Sequence, residues 1–305
     1  MPKISIIIPT YNRADLLPRA INSVLNQTFK DFELFIVDDG STDNTKEVVN
    51  LFVKKDNRIK YIYQKNSGGA ANPKNNAIKY CSGKYIAYLD HDDEWFPTKL
   101  EKQYNLFEQS TNKKLGMVSC NVLIINEKEK INGVHKMSKY HKLEDLLLSG
   151  NEYAFSNSSM MIDRSIVDIV GTRDENLKIF EDLDFTIRLA LAGYDLDFVD
   201  ETLVKYYIDA NNFSKDFKRA SPDYEKFIKK HEQLLKKYPK ILAVYYRHLG
   251  TMYLLADEKL KARKAFVNSI HLKPSIRNMI TVLCALFGKR VYIFLLSLKK
   301  KGSLI

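Results

Sequence analysis

Within the first 110 residues, short apolar runs alternate with amphipathic stretches, and each apolar run stops abruptly in a polar cluster. The composition of these runs, rich in β-branched and aromatic residues, predicts strands over residues 3–9, 32–37, 59–63 and 85–89. Residues 14–26 carry Leu17, Ile21, Val24 and Leu25 at helical spacing. Residues 42–54 carry Val49, Phe52 and Val53 on one face, and 74–80 complete the series. Repeated strand–helix units imply an α/β fold with a mostly parallel sheet covered by helices, and ligands sit beyond the carboxyl ends of such strands.

The residues just after each strand therefore carry the function. They are Pro9-Thr10-Tyr11-Asn12, Asp38-Asp39-Gly40-Ser41-Thr42-Asp43, Asn66-Ser67-Gly68-Gly69 and Asp90-His91-Asp92-Asp93. Two of these ends bring five carboxylates, Asp38, Asp39, Asp90, Asp92 and Asp93, to one edge. Uncompensated carboxylates repel, so a cation or a set of donors is expected there. A hard ion such as Mg²⁺ or Mn²⁺ fits, because it takes one or two carboxylates together with substrate phosphates. The chain has no GxGxxG after the first strand and no GxxxxGK[ST], which disfavours a dinucleotide dehydrogenase or a P-loop nucleotidase. Cys81, Cys120 and Cys284 are widely spaced, with no CxxC, which argues against a disulfide scaffold or a zinc site.

Charge is unevenly distributed. The 305 residues hold 48 Lys and Arg against 37 Asp and Glu, but 20 of the basic and only 6 of the acidic residues lie beyond position 215. A mildly acidic body thus carries a tail with a balance of +14. Such asymmetry points to an electrostatic partner or to a solvated helical face. The N-terminal apolar run is too short for a signal-peptide core and is expected to be the first strand. No uninterrupted apolar run reaches the length of a membrane span.

Taken in order and spacing, the motifs resemble the family 2 inverting glycosyltransferases of GT-A fold. The match comprises Ile7-Ile8-Pro9-Thr10-Tyr11-Asn12, Val37-Asp38-Asp39-Gly40-Ser41-Thr42-Asp43, Asn66-Ser67-Gly68-Gly69 leading to Lys74-Asn75, and Tyr88-Leu89-Asp90-His91-Asp92-Asp93-Glu94-Trp95 with Lys99-Leu100-Glu101. It continues in Phe180-Glu181-Asp182-Leu183-Asp184 with Arg188. The resemblance covers about residues 1–215 and implies a nucleotide-binding half at 1–110, an acceptor-side half at 111–215 and a basic helical extension at 216–305. By resemblance, Pro9, Thr10, Tyr11, Asn12, Asp39 and Gly68 line the donor, and Lys74, where the family often has arginine, contacts its phosphates. Asp90 and His91 complete the donor set. Asp92, with Asp90, binds Mn²⁺ or Mg²⁺, and Asp182, at the head of a helix over 184–193 with Phe185, Leu189 and Ala192 inward and Gly193 as its stop, is the general base. Glu181, Asp93, Trp95, Arg188 and Ser158 stand behind these or on the acceptor side, and the aromatic Trp95 is also a good core residue.

The implied activity is transfer of a sugar from a nucleotide diphosphate, with uridine as the family expectation, to a glycan or lipid-linked acceptor in cell-surface polysaccharide synthesis. One departure stands out: Ile208 and Ala210 occupy positions where the family often has arginine and histidine, with Asp209 between them as a substitute. Two other functions are considered. A sugar nucleotidyltransferase would need a glycine-rich basic N-terminal loop, which Pro9-Thr10-Tyr11-Asn12 is not. A catalytically lapsed scaffold would bind partners through its C-terminal helices, and the retained Asp39, Asp92 and Asp182 argue against it.

In the basic segment, Tyr246, Leu249, Gly250, Tyr253, Ala262, Phe266 and Pro274 fit one tetratricopeptide-like repeat, which predicts a helical hairpin. Beyond it, the apolar runs 279–287 and 291–298 are split by Gly288-Lys289-Arg290 and closed by Lys299-Lys300-Lys301. This pattern suits an amphipathic segment on an anionic membrane surface, or else a buried last helix. The expected setting is the cytoplasmic side of a membrane, with peripheral attachment. A homo-oligomer stays open and nucleic acid is not expected, because the tail lacks a known docking motif.

Overall fold

The computed structural model describes residues 1–126, 130–137, 143–149, 156–208, 216–274 and 279. The chain divides into two compact units, Met1–Ala210 and Asn211–Ile305. In the first, β1 (Ile4–Thr10) and β2 (Phe32–Asp38) are buried at every residue, as strands covered on both faces must be. Between them lies α1 (Leu17–Leu25), which starts with a proline in its first turn, where the missing N–H costs nothing. Then follow α2 (Thr45–Val53), β3 (Ile59–Tyr63), α3 (Ala71–Ile78) and the fully buried β4 (Tyr85–Tyr88). The pairs β1–β2, β2–β3 and β1–β4 are all parallel.

The second half adds β5 (Glu94–Trp95), α4 (Lys99–Gln109), β6 (Leu115–Asn126), β7 (Ile131–His135) and α5 (Leu143–Ser149). A 3₁₀ turn at Asn157–Ser159 precedes β8 (Met161–Asp163), α6 (Ile166–Val170), α7 (Glu181–Leu191) and the long β9 (Asp195–Ile208). The strands form one sheet in the order β3-β2-β1-β4-β8-β6-β9-β5, with β7 paired to β6. β8 runs antiparallel to both β4 and β6, and β6 is parallel to β9, so β1 to β4, β6 and β9 share one direction. This is the expected α/β sheet, mostly parallel, with short reversed strands stitching its second half to its first. The chain steps outward from β1 through β2 to β3 and then returns to β4 on the other side of β1. That reversal opens a crevice at the carboxyl ends of β1 and β4.

Helix α7 begins at Glu181, three residues before the expected start, which places Asp182 within its first turn. Phe185 and Leu189 are buried as expected. Ala192 is exposed, a correction with a simple cause: the helix ends at Leu191, and Gly193, at φ +83°, turns the chain away before Ala192 can face the core.

The second unit is helical: α8 (Phe217–Lys230), α9 (Glu232–Lys236), α10 (Pro239–Leu255) and α11 (Lys259–Leu272). Helices α10 and α11 form a hairpin in which Leu249, Tyr253, Ala262 and Phe266 are buried. The Phe266 ring lies so close to Gly250 that a Cβ there would come within 2.5 Å of it, so glycine is what lets the two helices approach. Tyr224, Phe227 and Tyr245 stack nearly parallel with ring centres 5.8–6.0 Å apart, joining α8 to α10. No helix among the described residues is long and apolar enough to cross a membrane. The apolar runs of the tail, apart from Met279, lie outside the described residues, as do Asp209, Ala210, Asn211 and Asn212.

Candidate active site

At the end of β2 the two consecutive acids separate in role. Asp38 is internal: its carboxylate accepts from the Ser41 amide at 2.8 Å and the Tyr61 hydroxyl at 2.6 Å, closing the turn. Asp39 faces the segment after β3. Its carboxylate accepts from the Ser67 amide at 3.0 and 3.1 Å, the Ser67 hydroxyl at 2.9 Å and Gln64 Nε2 at 2.6 Å. Its own amide donates to the Thr10 carbonyl at 2.9 Å, tying it to the end of β1. Thr10 is buried, and its hydroxyl makes no hydrogen bond among the described residues.

The following Tyr11 is 45% exposed. Asn12 adopts a left-handed φ of 49°, which asparagine tolerates, and its side-chain oxygen accepts the Thr42 amide at 2.7 Å. Two glycines hold the neighbouring loop. Gly40 (φ +82°) has no room for a Cβ, which would lie 2.6 Å from the Asn66 amide nitrogen, and Gly68 (φ +73°) gives the turn after β3 its left-handed step.

The acids after β4 are anchored from behind by Ser158, which is fully buried. Its hydroxyl accepts the Asp90 amide at 3.0 Å and donates to the Asp93 carboxyl at 2.5 Å, while its carbonyl accepts Trp95 Nε1 at 2.7 Å. Trp95 is therefore a core residue with Lys99 over its ring at 4.0 Å, and its indole N–H is held by Ser158. Burial, then the charges of Asp92 and Asp90, pushes the Asp93 carboxyl well above the usual range. His91 Nδ1 donates to the Pro9 carbonyl at 3.2 Å, joining β4 to β1 across the crevice. Arg19, on α1, donates to the Asp92 carbonyl and stacks on Tyr207 at 3.6 Å, which pins the loop from the opposite side.

Lys74 links the two halves. Its ammonium is fully buried, 2.9 Å from Glu181 Oε1 and 3.5 Å from Asp90 Oδ1. The expected phosphate contact thus sits behind Asp90, with its charge already shared between two acids. Burial opposes ionisation of Glu181, but Lys74 and then Arg173, 3.9 Å away, outweigh it and hold that carboxyl below its usual range. The adjoining Asp182 is half-buried, and its carboxylate accepts the Leu183 amide at 2.7 Å. Burial, then the Glu181 charge, pushes its carboxyl up to about 8 against the pull of Arg173 and Lys74. Arg188 holds Asp184 at 2.8 Å and donates to the Val170 and Thr172 carbonyls, so it braces the turn between α6 and α7.

The structure also brings in residues the sequence analysis passed over. Gln64 donates to both Asp39 and Asn72, Asn72 and Asn75 both donate to Glu175, and Asn75 grips the Arg173 peptide. This chain of amides runs from Asp39 along α3 to Arg173 and borders a cleft of about 750 Å³. Gln64 was findable, since it directly follows β3. Arg173 was not, because it lies in irregular chain 98 residues from its partner Asn75.

Oxygen donors after β4 suit a hard divalent cation. Among the described residues no three His, Cys, Asp or Glu side chains form a complete cage.

The same architecture occurs in solved structures. TarS of Staphylococcus aureus in complex with UDP-GlcNAc superposes with a TM-score of 0.65 at 20% identity, covering 99% of this chain and 92% of that one. The mannosyltransferase PcManGT of Pyrobaculum calidifontis, in complex with GDP-Man and Mn²⁺, gives 0.60 at 16% identity, covering 96% and 83%. The fold is thus of the GT-A glycosyltransferase class. The profile of Glycosyl transferase family 2 matches residues 5–170, and the chain belongs to that family.

An uncharacterized glycosyltransferase of Methanocaldococcus jannaschii is 33% identical over 221 residues, 72% of this chain and 75% of the relative. One of Rickettsia prowazekii is 33% identical over 212 residues, 68% and 65%. One of Rickettsia bellii is 48% identical over 108 residues, and there the match spans only 15% of the relative. A Campylobacter jejuni GalNAc(5)-diNAcBac-PP-undecaprenol beta-1,3-glucosyltransferase is 42% identical over 128 residues, 42% of this chain and 40% of the relative.

Proposed function

We propose that the protein transfers a sugar, with inversion, from a nucleotide diphosphate to a hydroxyl of a glycan or lipid-linked acceptor. The observation that carries this reading is the link from Asp90 through Lys74 to Glu181, which joins the acids at the end of β4 to the head of α7 and Asp182. Asp39, with Pro9, Thr10, Tyr11, Asn12 and Gly68 around it, receives the nucleoside. Asp90 and Asp92, with His91 beside them, face the diphosphate, and a bound divalent ion would stabilise the charge that develops on the leaving group. Lys74 contributes charge to the same cluster and reaches a phosphate directly only by exchanging Asp90 for it.

In the reaction the acceptor hydroxyl gives its proton to the Asp182 carboxylate as its oxygen bonds to the anomeric carbon. The bond to the nucleoside diphosphate breaks on the opposite face, and the leaving group keeps the electron pair. Uridine as the base is supported by the UDP and UDP-GlcNAc complexes of TarS, and a lipid-linked acceptor by the Campylobacter relative. Cell-surface polysaccharide synthesis and peripheral attachment to an inner membrane face, through the tail, belong to the same proposal.

A thermal-shift screen of nucleotide sugars with and without Mn²⁺ identifies the donor, since a ligand of the folded state raises its melting temperature. With that donor, Asp182→Asn should lower transfer at least 100-fold while the shift by the nucleotide persists. Transfer by the parent protein should rise with pH through about 8, where Asp182 becomes a carboxylate. An Asp182→Asn protein that transfers normally would remove the base from this residue.

A further inference from the structure

Arg173 is a buried, closely held side chain in the first unit that no step of the proposed reaction uses. It is 2% exposed. Asn75 of α3 takes its amide at 3.0 Å and gives Nδ2 to its carbonyl at 2.9 Å. Arg188 of α7 holds the two carbonyls just before it, on Val170 and Thr172, and Gly171 (φ +81°) makes the turn between them. All this fixes where the guanidinium goes. It enters between the rings of Tyr88 (4.4 Å) and Phe185 (5.2 Å), beside Glu181.

Yet among the described residues the tip finds little for its donors beyond the Tyr88 hydroxyl and the more distant Glu181. It lies by the Tyr88 hydroxyl, but none of its three nitrogens meets hydrogen-bonding geometry among the described residues, and neither does Glu181 Oε2 beside it. A buried guanidinium in that state is costly, and fold stability alone does not call for it. Glu181 already has Lys74 at 2.9 Å and Asn157 at 3.3 Å, so it would not lack a partner if Arg173 were neutral. Lys74, however, is shared with Asp90, whereas among the described residues the acid that Arg173 approaches as an ion pair is Glu181.

We propose that Arg173 is a positioning residue for the transfer reaction: its buried charge, together with Lys74, fixes Glu181 at the head of α7 and so aims the adjoining Asp182 at the acceptor. This rests on reading Asp182 as the base. Among the described residues, the groups facing that spot are Lys74 from α3, Tyr88 from β4, Asp90 just beyond it, Asn157 from the 3₁₀ turn, and Glu181, Asp182 and Phe185 from α7.

The test compares Arg173→Met, Arg173→Gln and Arg173→Lys in the full chain. Met keeps the length and the packing between the two rings, so its melting temperature should match or exceed that of the parent. Its kcat should nevertheless fall at least tenfold, with KM for the donor and the thermal shift by the nucleotide unchanged. Arg173→Lys should recover most of that kcat. Unchanged kcat in Arg173→Met would overturn the proposal, as would a lysine variant as slow as the methionine one. If Arg173→Met fails to fold, Arg173→Gln against Arg173→Lys carries the same comparison, and equal rates in that pair overturn it too. A parent protein that transfers sugar from no donor would instead sink the assignment of the reaction.

Discussion

Single side chains show how this sheet manages charge in its interior. Glu33 sits inside β2, where a carboxylate has no business without donors, and it has four: Ser5 Oγ and the Ser82 amide at 2.7 Å, Ser82 Oγ at 2.8 Å, and Lys60 at 2.7 Å. Burial alone would raise its carboxyl, but these bonds prevail and hold it at about 2. The folded value lies below the ordinary 4.5, so the stabilisation is complete above that pH and disappears as pH falls toward 2. Glu33→Gln should cost about 2 kcal/mol at neutral pH by urea unfolding, and much less near pH 3. A loss independent of pH would mean that packing, not charge, is what Glu33 provides.

Asp39, Asp90, Asp92 and Asp93 were legible from the sequence because they follow strands, whereas Asp182, at the head of α7, was named only through the family resemblance. Of the residues that hold them, Lys74 was named by resemblance, but for the phosphates and not as the buried partner of Glu181. Arg19 and Arg173 lie on a helix and in irregular chain, where nothing in the local pattern distinguishes a solvated cation from a buried one.

At the scale of elements, periodicity located the strands and helices of the first half well, because most of them bury an apolar face; α3, which buries Lys74 and Asn75, is the exception. It misplaced the start of α7 by three residues. Glu181 and Asp182 read in sequence as polar residues ahead of the apolar pattern; in the structure Glu181 is buried against Lys74 and the helix starts there. The α10–α11 hairpin was legible from a few small and aromatic residues, and it gives a direct test of packing. Gly250→Ala improves helix propensity by about 1 kcal/mol, but the new Cβ meets the Phe266 ring at 2.5 Å. The net effect should be a loss of about 1–2 kcal/mol in the second unit, recovered in part by adding Phe266→Leu. Stabilisation by the single substitution would mean the helices part without cost.

For the whole molecule, the alternation of strands and helices disclosed the sheet but not how its second half joins the first. The strands β8 and β5 are three and two residues long, too short to leave a periodic signal. The basic segment is a matter of the complete chain as well. Deleting residues 279–305 should reduce co-sedimentation with anionic vesicles while leaving donor hydrolysis unchanged. Equal vesicle binding by the shortened protein would make the tail structural.

The ion pair between Lys74 and Glu181 spans 107 positions of chain, and that has a consequence for biosynthesis. While the ribosome is still making the middle of the protein, the emerging β1–β4 layer holds an ammonium with Asp90, 3.5 Å away in the folded chain, as its counter-ion, and the closer partner has not yet been translated. The full pairing around α3 can therefore form only once the helix bearing Glu181 has been made.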